Sequence, residues 1–446
     1  MAPRRRTVLA AVSTATATAA AGCTDLLGIG ADDETDGSRS ADEVATAFVD
    51  DLANGRFERA SERFVENERD RYGDPGRLER VWLAFATVGG AFEKVVDASV
   101  TAGNQGNLVT VTLSFDRGDH DCGVIVDTES RIRNCGIADE YERPAYVDPN
   151  AFGERDVSLS VPDCSLSGTV ATPADGDGVP GAVLVHDDGP MTADTPRGAT
   201  RTFADLAEGL ATRGVASLRY DKRNTACEVA LDEYTLDRVT VDDAAVAIER
   251  LRAVDGVDPD RIVVVGHGLG GRAAPRIAAR DGDLAGVVGL AAPARPYREL
   301  TLEQLEHKAT VGSHEWEDLR ATYETWVDES DRLREGEYDP DERLLGKPGA
   351  FWDSIAAYDH VQTAAEVDVP FRFLQGERDF QVTVADDLER WERELEGKSA
   401  TTFETYEGLN HLFMPGEGES LAFAYAVRNN VAEEVVDDIA AWIGER

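Results

Sequence analysis

Ile262-Val263-Val264-Val265 runs without a polar break into Gly266-His267-Gly268-Leu269-Gly270-Gly271, and a helical pattern starts at once. Four apolar, β-branched residues in a row leave no face for water. Such a strand must be covered on both sides, as strands of parallel sheets are. A turn this tight between strand and helix brings backbone against backbone, which is why glycine fills it. The surrounding chain repeats the alternation. Residues 183–186, 216–220, 286–291 and 371–375 are short apolar or β-branched runs, and 202–213, 240–254 and 271–280 read as helices between them. Residues 157–446 are therefore expected to form an α/β domain around a mostly parallel sheet.

The same turn sets a chemical expectation. G-x-S-x-G at a strand-to-helix turn is the nucleophile elbow, and residues 266–270 satisfy it everywhere except at Gly268, where the serine belongs. Two further groups follow in the order nucleophile, acid, histidine. Asp379 lies in Gly376-Glu377-Arg378-Asp379, just past the run 371–375, and His411 follows the strand-like stretch 401–406. Earlier, His186-Asp187-Asp188-Gly189-Pro190 closes another strand. There the backbone N–H groups of Asp187 and Asp188, with that of Leu269, would form an oxyanion hole.

Together with Tyr220-Asp221-Lys222-Arg223, Gln375 and Asn410-His411-Leu412-Phe413, these residues carry a specific likeness. The stretch 157–446 resembles the serine esterase and peptidase branch of the α/β-hydrolase superfamily, near its dienelactone-hydrolase-like and acyl-aminopeptidase-like members. The resemblance implies the α/β-hydrolase fold, with His411 as general base oriented by Asp379. It also implies a helical cap over about 297–366 and a small acyl, ester or peptide-like ligand.

The departures from that pattern matter as much. Gly268 has no side chain to acylate, and deleting the nucleophile of a related triad costs about a millionfold in turnover, or roughly 8 kcal/mol of barrier. Asp187 and Asp188 stand where a small residue is usual, and a carboxylate aimed into the hole opposes developing negative charge. The expectation is a catalytically impaired, ligand-binding homologue. Two other readings stand beside it: direct hydrolysis by a water that His411 activates, or a structural envelope protein whose first domain does the work.

Gly266, Gly268 and Gly271 also satisfy G-x-G-x-x-G, but no acidic residue ends the next strand to hold a ribose, so no dinucleotide is expected. The seven histidines show no ligand spacing, and His307 and His314 are read as solvated. Neither a cofactor nor a metal is expected.

Ahead of this domain, residues 41–150 read as helices (Val44, Phe48, Val49 and Leu52 mark one face) followed by strands at 92–100, 108–115 and 123–126 and a return strand to 135. This small α+β domain resembles the NTF2-like domain that often precedes such hydrolases. A hairpin turned at 127–130 would pair Val126 with Arg131, and hence Cys122 with Cys135, within disulfide reach. A Cys164–Cys227 bridge then follows by elimination.

The chain opens with Arg4-Arg5-Arg6 and a mild apolar run over 7–22, too short to span a bilayer. Residues 1–23 are expected to be a signal peptide of the twin-arginine kind. Ala20-Ala21-Gly22-Cys23 resembles a lipobox, which implies lipid on Cys23 and anchorage to the outer face of the cytoplasmic membrane. Residues 24–40 read as an acidic tether.

Charge narrows the partners. The chain has 86 acidic against 45 basic residues, a net charge of −41, and only five lysines. A compact state would repel itself in dilute buffer, whereas at about 1 M salt the screening length falls to roughly 3 Å. Such a surface resembles those of extremely halophilic archaea. With no basic patch to meet phosphates, nucleic acid is excluded as a partner.

Overall fold

A computed structural model of the protein describes residues 39–104, 106–398 and 400–446. The expected signal peptide, the Cys23 lipidation site and all but the end of the acidic tether lie outside the described residues. No helix among the described residues is long and apolar enough to cross a membrane.

Four helices open the structure: α1 (Ala41–Ala53), α2 (Phe57–Glu62), α3 (Glu66–Tyr72) and α4 (Pro75–Gly89). Glu43 reaches back to the Ser40 N–H at 3.1 Å, closing the start of α1. Asp74 accepts from the Arg77 N–H at 2.9 Å and does the same for α4, whose first residue is proline. An antiparallel meander follows: β1 (Phe92–Gly103), β2 (Gly106–Phe115), β3 (Gly118–Val126) and β4 (Ile132–Ile137). Val44, Phe48, Val49 and Leu52 are buried as their spacing predicts, in a core with Phe64, Phe85 and Leu113. That core does not close by itself. Val311, Leu421, Ala424 and Val427, from the second unit, complete it.

The two cysteine expectations separate here. Cys164 and Cys227 form a disulfide. Cys122 and Cys135 do not; both are buried free thiols. The β3–β4 turn is one residue longer than expected, so Val126 faces Ile132, and a bulge shifts the ladder again. Cys122 therefore faces Ile137, and Cys135 faces Val124.

The second unit holds an eight-stranded sheet. Its strands are β5 (Phe152–Val161), β6 (Cys164–Pro173), β7 (Val179–Val185), β8 (Ala216–Tyr220), β9 (Val257–His267), β10 (Gly286–Leu290), β11 (Phe371–Gly376) and β12 (Thr401–Tyr406). They lie in the order β5-β6-β8-β7-β9-β10-β11-β12. From β8 to β12 every pairing is parallel, whereas β6 runs against both its neighbours. Between strands run α5 (Thr202–Thr212), α6 (Asp242–Arg252) and α7 (Leu269–Asp281). Strands β7, β8 and β10 are buried along almost their whole length, as strands covered on both faces must be. This is the α/β architecture expected from the sequence, with the small α+β unit ahead of it.

After β10 the chain leaves the sheet through α8 (Tyr297–Thr310) and α9 (Glu317–Glu335) and rejoins it at β11. The first unit grips this excursion. Arg80 of α4 is 1% exposed and donates to the carbonyl oxygens of Lys308 (3.1 Å), Ala309 (2.6 Å) and His314 (2.9 Å). Lys308 and Ala309 lie in the last turn of α8, where carbonyls lack partners within the helix, and His314 just beyond it. Glu79 accepts from the Ser313 and His314 N–H groups. His314 therefore lies between Glu79 and Glu58 at 3.0 Å each, and His307 donates to the Ser420 carbonyl at 2.7 Å. Neither is the solvated side chain expected from sequence: His314 fastens the two units together, and His307 ties α8 to the chain at Ser420 within the second unit.

Candidate functional site

The strand ends of the large sheet converge on one point. Strand β9 delivers Gly268, β7 delivers Asp187, β11 delivers Asp379 through a short turn, and the loop after β12 delivers His411. Convergence at the carboxyl edge is what a parallel sheet imposes on the loops that follow its strands. Gly268 has φ +52° and ψ −116°, a conformation costly for residues with a Cβ. Gly270 is required by proximity instead, since a Cβ there would run into the Val185 carbonyl oxygen.

Asp379 is firmly held. Its Oδ1 accepts from the N–H groups of Gln381 (2.7 Å) and Val382 (3.1 Å), and its Oδ2 from Gln375 Nε2 (3.0 Å) and His411 Nδ1 (2.7 Å). The acid and histidine picked from the sequence are thus hydrogen-bonded partners in the structure. His267 supports the pair from below, its ring 4.5 Å from that of His411 and its Nε2 donating to the His411 carbonyl at 2.8 Å.

The sequence suggests the backbone N–H of Asp187 as an oxyanion donor and a carboxylate aimed into the hole as the departure that would oppose it. The structure has that departure: the Asp187 carboxylate turns into the site, where Oδ1 accepts from the Leu269 N–H at 2.8 Å and Oδ2 from His411 Nε2 at 3.2 Å. It fills the space beside Gly268, so that a Cβ on Gly268 would collide with the Asp187 carboxylate carbon and oxygen. The N–H of Leu269, one expected oxyanion donor, is already taken. Asp188 turns the other way and accepts from Lys347 Nζ at 2.6 Å. Lys222 donates to the Asp187 carbonyl at 2.5 Å. Neither lysine was assigned a role from sequence. Their signals were their rarity and, for Lys222, its place in Tyr220-Asp221-Lys222-Arg223.

Electrostatics follow from this geometry. Burial alone would favour neutral His411, but Asp379 and Asp187 outweigh it and push its pKa up to about 9. His411 is therefore an imidazolium between two carboxylates at neutral pH. Burial likewise opposes ionisation of Asp187, yet the hydrogen bond and charge of His411 hold it far below the ordinary carboxylate range. His267 goes the other way, lowered by burial and by His411 to about 4, so it is neutral.

Asp187, His267 and His411 each offer one ligand atom, all within 4.8 Å of one another, the only such group found among the described residues. A divalent cation there would have to displace the proton His411 shares with Asp187, so metal binding and the ion pair are mutually exclusive.

A cavity of about 360 Å³ opens above Gly268 toward the cap. Tyr297, Leu300, Trp326 and Val382 supply apolar surface, and Arg197 and Lys308 supply charge.

Comparison with known proteins fits this geometry. The sequence family described as serine aminopeptidase, S33, matches residues 199–419. Esterase EstD of Thermotoga maritima is 31% identical over 413 residues, covering 90% of this chain and 95% of that protein. The chain belongs to the α/β-hydrolase superfamily. Among solved structures, this hydrolase-family chain is similar to Est1E from Butyrivibrio proteoclasticus (14% identity, 65% of this chain, 99% of that one, TM-score 0.43). It is also similar to the esterase domain of a Rhodothermus marinus protein (16% identity, 66% of this chain, 98% of that one, TM-score 0.42).

Proposed function

We propose that this protein is a serine-esterase relative that no longer forms a seryl acyl-enzyme and instead binds a small acyl, ester or peptide-like ligand in the cavity over Gly268. One observation carries the reading. The Asp187 carboxylate occupies the volume that a serine at position 268 would need, and holds both the Leu269 N–H and His411 Nε2. Two changes at separate sites in the chain, glycine at 268 and aspartate at 187, thus fit each other in space.

The same contacts argue against water activation. A general base must accept a proton, and a histidine whose pKa is about 9 is already protonated at pH 7. A water attacking through His411 would first have to break its bond to Asp187.

In this reading the leader exports the protein and lipid on Cys23 anchors it to the outer face of the cytoplasmic membrane. Binding then serves the cell surface, and residues 41–150 steady the cap instead of acting alone.

Three variants of the chain test the reading by hydrolysis of short p-nitrophenyl esters in molar KCl. The natural protein and Gly268→Ser are both expected to be inactive, because the new side chain meets the Asp187 carboxylate. Gly268→Ser combined with Asp187→Gly is expected to gain activity by several orders of magnitude, since it supplies the nucleophile and clears the hole together. Hydrolysis by the natural protein that disappears in His411→Ala would instead establish the water route and refute the proposal.

A further inference from the structure

Lysine is scarce in this chain, with five in 446 residues, yet two of the five, Lys308 and Lys347, line one cavity, and a third, Lys222, holds the backbone carbonyl of its Asp187. Two of them are accounted for: Lys347 pairs with Asp188, and Lys222 is bound to the Asp187 carbonyl. Lys308 is different. It is half-buried and lines the cavity, and among the described residues its ammonium meets neither a carboxylate nor a hydrogen-bond acceptor. Arg197 lines the same cavity and has no carboxylate partner among the described residues either. Burial disfavours the charge on Lys308 and Arg197 disfavours it further, while the more distant Asp187 and Asp188 act the other way without pairing with it.

Two cations that line one cavity, neither paired with a carboxylate among the described residues, repel each other. In a protein of net charge −41 the arrangement is conspicuous, because carboxylates are available almost everywhere else. The backbone also fixes where Lys308 stands. Arg80 binds the carbonyl oxygens of Lys308 and Ala309, tying the end of α8 to the first unit. Among the charged side chains that line the cavity, His411, Lys347, Lys308 and Arg197 outnumber the carboxylates of Asp187 and Asp188. The cavity is thus a locally cationic site in an anionic protein.

We infer that the ligand bound in this cavity carries an anionic group, a carboxylate or a phosphate, which seats between Lys308 and Arg197 while its acyl portion lies toward Gly268. This rests on the binding function proposed above and narrows its ligand class. Lys308 contributes more than Arg197, because an exposed charge is screened within a few ångströms in molar salt while a half-buried one is screened less.

The test is calorimetric titration of the protein in 2 M KCl with ethyl esters of straight-chain acids of four to eight carbons whose far end carries a carboxylate, a phosphonate or no charge. The expected result is binding about tenfold or more tighter for a charged probe than for its uncharged counterpart, the worth of a charge-assisted hydrogen bond. That preference, the ratio of charged-probe to uncharged-probe affinity within one variant, should vanish in Lys308→Gln and shrink in Arg197→Gln. Whether carboxylate or phosphonate binds tighter identifies the head group. Equal binding of charged and uncharged probes, or a preference that survives Lys308→Gln, overturns the inference while leaving the binding function intact. Binding by none of the probes overturns both.

Discussion

At the scale of single residues, the site is governed by one proton shared among three groups. His411 is 2% exposed and accepts its charge only because Asp379 and Asp187 flank it. Its folded pKa of about 9 lies above the unfolded value, so its contribution to stability is complete below about pH 6.5. That contribution is lost as pH rises through about 9. Asp187 has the opposite sign. Its depressed pKa contributes stability above about pH 4 and loses it under strong acid. Asp187→Asn removes one flanking charge, so the His411 pKa should fall by a unit or more and the alkaline loss of stability should move to lower pH. Imidazole NMR titration of the two proteins checks this; an unchanged His411 pKa would mean that Asp187 does not bear on it.

The reach of the sequence at this scale ended at side-chain direction. Gly268, Asp379 and His411 were readable because each follows a strand end at a fixed place in the chain. That the Asp187 carboxylate turns inward while that of Asp188 turns toward Lys347 depends on a loop conformation that no periodicity encodes.

At the scale of elements, the sheet was legible and the hairpin was not. Apolar runs at 183–186, 216–220 and 286–291 announced buried strands because burial on both faces forbids alternation. The β3–β4 register is set by a turn and a bulge, and one extra turn residue with one bulged residue moved the expected Cys122–Cys135 pairing apart. The disulfide that does form ties the start of β6 to the short helix after β8 across 63 residues. Closing a loop of that length is worth about 4 kcal/mol by chain entropy. Cys164→Ser with Cys227→Ser should therefore lose stability of that order in urea unfolding, with a steeper slope because the freed unfolded chain exposes more surface. A loss below about 1 kcal/mol would mean that the unfolded chain gains little freedom when the bridge is removed.

At the scale of the whole molecule, the two units are one cooperative object. The core of the first unit borrows Val311, Leu421, Ala424 and Val427, and its buried Arg80 has lost its water to bind carbonyls of the cap. A fragment of residues 39–150 is short of part of its core and leaves a cation without acceptors. It is expected to show no sharp thermal transition by circular dichroism in molar KCl, whereas residues 39–446 should melt in one step. A cooperative melt of the fragment would show the shared core to be dispensable. The sequence marked two domains through their composition and periodicity. It gave no sign of their mutual dependence, because contacts between residues more than 200 apart leave no local pattern.

The inward turn of Asp187 has a consequence for occupancy. A carboxylate attached by two bonds to its own backbone is a tethered competitor, present beside the Leu269 N–H at an effective concentration that no solute reaches. A ligand that needs that N–H finds the site vacant only in the fraction of molecules where Asp187 has swung aside, and its apparent dissociation constant is multiplied by the inverse of that fraction. A ligand that leaves the N–H alone and settles between the Gly268 turn and the cap meets no such competition. Under the proposed binding function, selection by this pocket would therefore fall on what a molecule does at its far end, away from the strand tips.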